Sequence, residues 1–269
     1  MKRMKALIIA LCVIVLFSVV VAVPLLLQSK TPTDVPQHTI DQAISFFKDS
    51  YEPYALLWLD VMHRRFGISE FVDALQRYDQ KLAEHPVDEA MLRVFRRIAD
   101  HNNVLEYGDF GAVEYDVDQI TVPALYCDRE ALPYEYTSML YAAANTGGYM
   151  LTHVVVSLVW IQENNCSMPV SDKFINNVYS ATAEIINTDS DVTDLELEAA
   201  AFLYLAGQGD LVDNVFVERV IAAQNSDGGW LSDNDSPDKS NWHSTISALF
   251  FLLHVKYPAE SYPPMLAPD

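Results

Sequence analysis

Three apolar helical runs, Tyr149 to Ile161, Leu195 to Leu205 and Ser244 to Val255, recur in the second half of the chain with polar residues set into them at a fixed interval. His153, Glu198 and His243 are each 45 residues from the next, and each sits within or beside one of these runs. Helices that are apolar on nearly every face are normally buried. Between them lie amphipathic stretches. Phe174, Ile175, Val178, Ala181, Ile185 and Ile186 form one stripe; Phe216, Val217, Val220 and Ile221 form another. Alternation of buried and amphipathic helices is the order expected of an all-α protein built as an α/α toroid or solenoid of helical pairs. Inner helices would then be walled by outer ones, and the spacing suits helix-pair repeats. Turn chemistry agrees. Gly147-Gly148, Gly207 with Gly209, and Gly228-Gly229 punctuate the helix ends. Thr193 with Glu196 fits a capping box, and Ser240 or Asn241 can cap the third buried helix.

The first half keeps this phase poorly, yet helical periodicity still dominates and strand signals are nearly absent. Ile40 to Phe47 and Tyr54 to Phe66 read as one helical pair, Ile68 to Glu84 and Glu89 to Ala99 as a second. Residues 101–132, with Gly108, Gly111, Pro123 and Cys127, are poorly patterned. They read as a long loop of the kind that often serves as a lid.

At the N-terminus, Lys2, Arg3 and Lys5 precede an uncharged apolar run from Ala6 to Leu27. That run is long enough for one transmembrane helix. Its basic flank favours leaving the N-terminus in the cytoplasm and the remainder outside. Cleavage after Ala22 as a signal peptide, giving a secreted protein, is the alternative; continuation of the run to Leu27 favours an uncleaved anchor. The expected organisation is an anchor at 1–27, a linker at 28–37 containing Pro32 and Pro36, and an all-helical extracytoplasmic domain at 38–269. The formal net charge is −20 and no sustained basic patch follows the N-terminus. This argues against nucleic-acid binding and against adhesion to anionic lipid. The expected contact with the membrane is through the N-terminal helix alone. Outside that segment the cysteines are Cys127 and Cys166. They either pair in an oxidising compartment or stay as separate buried thiols, and they make no metal spacing.

Gln224, Gly228 and Trp230 match the core of the glutamine–tryptophan motif, and in this respect the chain resembles squalene cyclases and related α/α-toroid proteins. The resemblance implies that Gln224 and Trp230 tie helix ends together. Asp238 to Ser244 is similar to the segment of protein prenyltransferase β subunits that carries a zinc-binding histidine, which implies the ligand place for His243. Those enzymes take further ligands from an Asp-x-Cys pair, where this chain has Asp194-Leu195-Glu196; squalene-type cyclases carry an Asp-x-Asp-Asp motif, which it lacks. Scaffold is implied here more than chemistry. Over roughly residues 145–258 the chain also resembles a family of exported proteins of unknown activity that includes a human thyroid-expressed protein. The shared pattern runs through Gly148-Tyr149, Thr152-His153, Trp160 with Cys166, Asp194 with Glu198, Gln224, and His243 with Thr245. It implies fold and export.

An imidazole or carboxylate in an apolar helix needs a partner, because burying an uncompensated polar group costs about 2–7 kcal/mol. With repeats stacked in phase, His153, Glu198 and His243 converge on one cavity. Two imidazoles and a carboxylate form a zinc ligand set with a fourth position left for water or substrate. Asp194, one turn before Glu198, would be a further ligand, a supporting partner or a general base. A hydrogen-bonded network without metal satisfies burial equally. Two functions follow: a module binding a small molecule or a protein, or a metal-dependent enzyme, with zinc the candidate cofactor. Tyr134, Tyr136 and Tyr141 are further candidates for lining a pocket, and Asp233, Asp235 and Asp238 form an acidic loop poorly suited to calcium.

Overall fold

The computed structural model describes residues 34–268, apart from residues 51, 85–89, 106–108, 114, 187–190 and 233–238. The expected anchor at 1–27, most of the linker and the acidic loop lie outside the described residues. Among those described, no helix is long and apolar enough to cross a membrane. The architecture is all-helical. The eleven α-helices among the described residues are α1 (Gln37–Phe46), α2 (Pro53–Phe66), α3 (Ala74–Glu84), α4 (Ala90–Phe95), α5 (Asp116–Leu125), α6 (Tyr136–Thr146), α7 (Gly148–Glu163), α8 (Asp172–Ala183), α9 (Asp194–Leu205), α10 (Asn214–Ala222) and α11 (Trp242–Lys256). Among the described residues, extended pairing is confined to one isolated bridge between Trp230 and Asn241.

The three apolar runs form α7, α9 and α11, which are buried along most of their length. Their caps follow from local chemistry. Thr193 and Glu196 make the reciprocal capping box of α9, and the Asn241 side chain accepts from His243 N at the start of α11. The amphipathic stripes become α8 and α10, which bury Phe174 and Val178, and Phe216, Val217 and Val220, respectively. Helix α9 packs against both α7 and α11; α7 also packs on α5 and α6; α11 also packs on α1 and α2.

The 101–132 region differs from the loop expected. It contains α5, which buries Ile120, Val122, Ala124 and Leu125 against α7. Asp116 and Asp118 in its first turn favour the positive end of the helix dipole. Pro123 falls near its last turn, where it masks the pattern without preventing the helix. Cys127 and Cys166, just beyond the ends of α5 and α7, are disulfide-bonded to each other.

Gln224 and Trp230 act as ties between elements. Gln224 Nε2 donates to Thr39 O in α1 at 2.9 Å and to Gly228 O at 2.9 Å. The Trp230 indole donates to Val220 O at 2.7 Å, and its backbone N–H donates to Thr245 Oγ1 at 3.0 Å. Gly228 has a φ of 91°, and a Cβ there would fall onto the backbone carbonyl of Gln42. Glycine is required by conformation and by close approach together. Beyond α11 the chain returns across α2. Arg65 Nη1 donates to Pro263 O at 2.6 Å, Arg64 Nη2 donates to Met265 O at 2.9 Å, and Glu163 accepts from the N–H groups of Met265 and Leu266 at 2.9 Å each. This tail buries Met265 and Leu266.

Candidate functional site

A cavity of 560 Å³ lies among the helices, lined from α2, α4, α5, α7, α9 and α11, by Ile98 just beyond α4 and by Met265 of the tail. Its wall is mainly aromatic and aliphatic. Trp58 stacks on Phe202 with ring centroids 5.9 Å apart and meets Phe250 edge-on at 5.1 Å. His153, Glu198 and His243 gather on one side of it, joined by Asp118 from α5.

The 45-residue spacing brings the three residues together although their places along the helices differ: His153 lies well inside α7, Glu198 in the second turn of α9, and His243 in the first turn of α11. The central helix of the three carries the acids, and its neighbours carry the donors. His243 Nδ1 lies 2.9 Å from Asp194 Oδ2, and its Nε2 lies 3.1 Å from Glu198 Oε2. Asp194 also accepts from Tyr149 OH and from Ser244 Oγ, each at 2.6 Å. Thr152 Oγ1 donates to Glu198 Oε1, and His153 Nδ1 lies 3.4 Å from the same oxygen. The closer partner of His153 Nδ1 is Tyr149 O at 2.8 Å, so this nitrogen carries the proton.

Glu198 is 1% exposed, and its Oε2 has no hydrogen-bond partner. The 3.1 Å approach of His243 is therefore a charge contact lying off the hydrogen-bond axis. Burial works against every ion in the cluster, and mutual pairing outweighs it. His243 is pushed up to about 10 by its hydrogen bond to Asp194 and by the charges of Asp194 and Glu198 beside it. Glu198 is held down at about 2 by the two imidazoles, and Asp194 is lowered by His243, Ser244 and Tyr149. His153 is raised, burial being overcome by Glu198. Burial raises Asp118, with His153 opposing it.

His153, Glu198 and His243 thus meet at one wall, and Asp194 stands behind His243 without lining the cavity. Among the described residues, no three imidazole, carboxylate or thiol groups are arranged to hold an ion. Thr152, Ser244 and Tyr149 complete the network. Their signal in the sequence is position: hydroxyls directly adjoin His153 and His243, and Tyr149 precedes Asp194 by 45 residues. The tyrosines expected to line a pocket do not. Tyr134 is exposed, Tyr136 is buried with its hydroxyl on Ile120 O, and Tyr141 packs on Phe174. The aromatic wall comes instead from Trp58, Trp160, Phe202, Trp242 and Phe250. No protein-family model, curated protein or solved structure matches the chain.

Proposed function

We propose that this chain is a membrane-anchored extracytoplasmic domain of α/α-toroid type that binds a small molecule in its central cavity. The observation that carries the reading is the 560 Å³ cavity, apolar over most of its wall and polar at one side. Small-molecule sites have this size and this division of labour, apolar surface for affinity and a few placed polar groups for orientation. The Cys127–Cys166 bond supports an oxidising compartment and hence export of the domain. The test is binding of prodan, a neutral naphthalene dye, to the purified full chain. Wild type binds it with enhanced emission, and Ser247→Phe, which fills the cavity, loses that binding while keeping its helical content. Absence of dye binding to wild type, or equal binding to the filled variant, sinks the reading.

A second reading, a zinc-dependent enzyme using His153, Glu198 and His243 with Asp194 assisting proton transfer, is favoured by one observation. Both histidines direct Nδ1 to an acceptor, Tyr149 O and Asp194 respectively. That is how metal-bound imidazoles are commonly oriented from behind, leaving Nε2 for the ion. Elemental analysis separates the readings. Stoichiometric zinc that disappears in His153→Ala and His243→Ala, with the fold retained, supports the enzyme; a metal-free purified chain rejects it.

A further inference from the structure

Building on the small-molecule reading of the cavity, we propose that its occupant is an apolar or aromatic amine, with the protonated nitrogen at Glu198 and the body against Trp58, Phe202 and Phe250. Glu198 Oε2 is the starting point. It belongs to a cavity-lining carboxylate that is 1% exposed, and it has no hydrogen-bond donor. A buried carboxylate oxygen in that state calls for a donor, and a charged donor answers it best. The groups already around Glu198 are committed. Oε1 receives Thr152, His153 donates to Tyr149 O, and His243, fastened to Asp194 through Nδ1, meets Oε2 only as a charge contact at 3.1 Å that leaves the oxygen without a hydrogen bond. An ammonium arriving through the cavity supplies both an N–H and a positive charge.

The rest of the wall selects in the same direction. Asp118 adds a second carboxylate to the lining, and no lysine or arginine occurs among the described lining residues. With the carboxyls ionised, Asp118, Asp194 and Glu198 outnumber the two imidazoles even when both are protonated. An anionic head therefore meets repulsion without a free counter-ion. The rings of Phe202 and Phe250, centred 5.9 and 5.1 Å from that of Trp58, form with it a surface that suits an apolar body and attracts a cation by the ring quadrupoles. A neutral alcohol fills the same space with one donor and no charge, so it stands as the internal reference.

The test uses one body with three heads: phenylbutylamine, phenylbutanol and phenylbutanoate, added at neutral pH to the purified full chain treated with a chelator. Quenching of tryptophan fluorescence reports occupancy, since Trp58, Trp160 and Trp242 line the cavity. The expected order is amine, then alcohol, then acid, with the amine about tenfold or more tighter than the alcohol. Glu198→Gln and Asp118→Asn should each bring the amine toward the alcohol's affinity while leaving the alcohol unchanged. Should Glu198→Gln fail to fold, Asp118→Asn and the wild-type ranking still decide. An alcohol or acid that binds as well as the amine overturns the amine proposal and leaves the cavity reading standing. Prodan binding with no response to any of the three does the same. Failure of prodan and all three probes overturns the cavity reading itself.

Discussion

His243 Nε2 stands 3.1 Å from Glu198 Oε2, an ion pair between two helices whose partners are 45 residues apart in the chain. The same imidazole is fastened through Nδ1 to Asp194, one helical turn away on α9. One cation thus separates two buried carboxylates that would otherwise face each other within the same apolar helix. Removing a partner from this arrangement differs from replacing the whole, since the remaining charges stay buried.

Glu198→Ala is accordingly expected to be among the most damaging substitutions in the domain. It leaves His153 and His243 without the acid between them, and the loss should be about 3–5 kcal/mol. Urea unfolding followed by circular dichroism measures it. A change within experimental error of wild type would show that the cluster adds nothing to stability.

His243 and His254, both on α11, should respond to pH in opposite senses. His243, raised to about 10, contributes stability that is complete below the ordinary imidazole value of 6.5 and is lost as pH rises toward 10. His254 is lowered to about 3 by burial and by the neighbouring Arg65, whose Nε donates to His254 Nε2 at 3.1 Å. Its contribution is complete above 6.5 and is lost as pH falls toward 3. Glu198, held at about 2, acts in the same direction below 4.5. The thermal midpoint should therefore peak near pH 6.5, between these limits. His254→Gln should flatten the acid side between 6.5 and 4.5, where Glu198 does not yet titrate. A midpoint that climbs steadily to pH 9 would contradict the assignment for His243.

Cys127→Ser with Cys166→Ser should destabilise the domain by about 2–4 kcal/mol, because the bond closes a loop between the ends of α5 and α7. The double variant compared with wild type in urea, both without reductant, gives the value. A reductant should reproduce most of the loss in wild type and none in the variant.

Gly228→Ala tests the tie around Gln224. Its φ of 91° and the adjacent carbonyl of Gln42 both oppose a Cβ, so a loss of about 1–3 kcal/mol is expected. Gly111→Ala, with open space around its Cβ position and no positive φ, is the control that should stay near neutral. Equal effects of the two would remove the steric argument.

The inner helices were legible because their chemistry is local: an apolar run of helical length between a cap and a glycine can hardly be anything else. The gathering of His153, Glu198 and His243 was legible because their equal spacing sets one residue on each of three apolar helices, the middle one of which packs on both others. Helix α5 was not, since Pro123 and the polar start Asp116 to Gln119 obscure a periodicity that only α7 completes. Helix α6 carries Tyr136, Leu140 and Ala143 as its buried set, a stripe too sparse to stand out from its surroundings. The aromatic wall was hidden for another reason. Trp58, Phe202 and Phe250 come from three helices far apart in sequence, and no spacing rule links α2 to α9 and α11. The off-axis geometry at Glu198 Oε2 is likewise a property of assembled side chains alone.

The packing of α11 on α1 and α2, together with the 2.6 Å hydrogen bond from Lys256 Nζ to Val35 O, has a consequence for the order in which the protein is made. Among the described helices, the last to be synthesised is a partner of the first two. Contacts spanning this much of the chain are slow to form, because loop-closure entropy is lost before they contribute. The faces of α1 and α2 that meet α11 stay uncovered until it has emerged, while α2 can already pack on α3. Pairing of Cys127 with Cys166 needs only the middle of the chain. A partly synthesised chain can therefore hold its disulfide before Lys256 has met Val35, which makes the oxidised, unclosed form the species whose α11-facing surfaces stay longest uncovered.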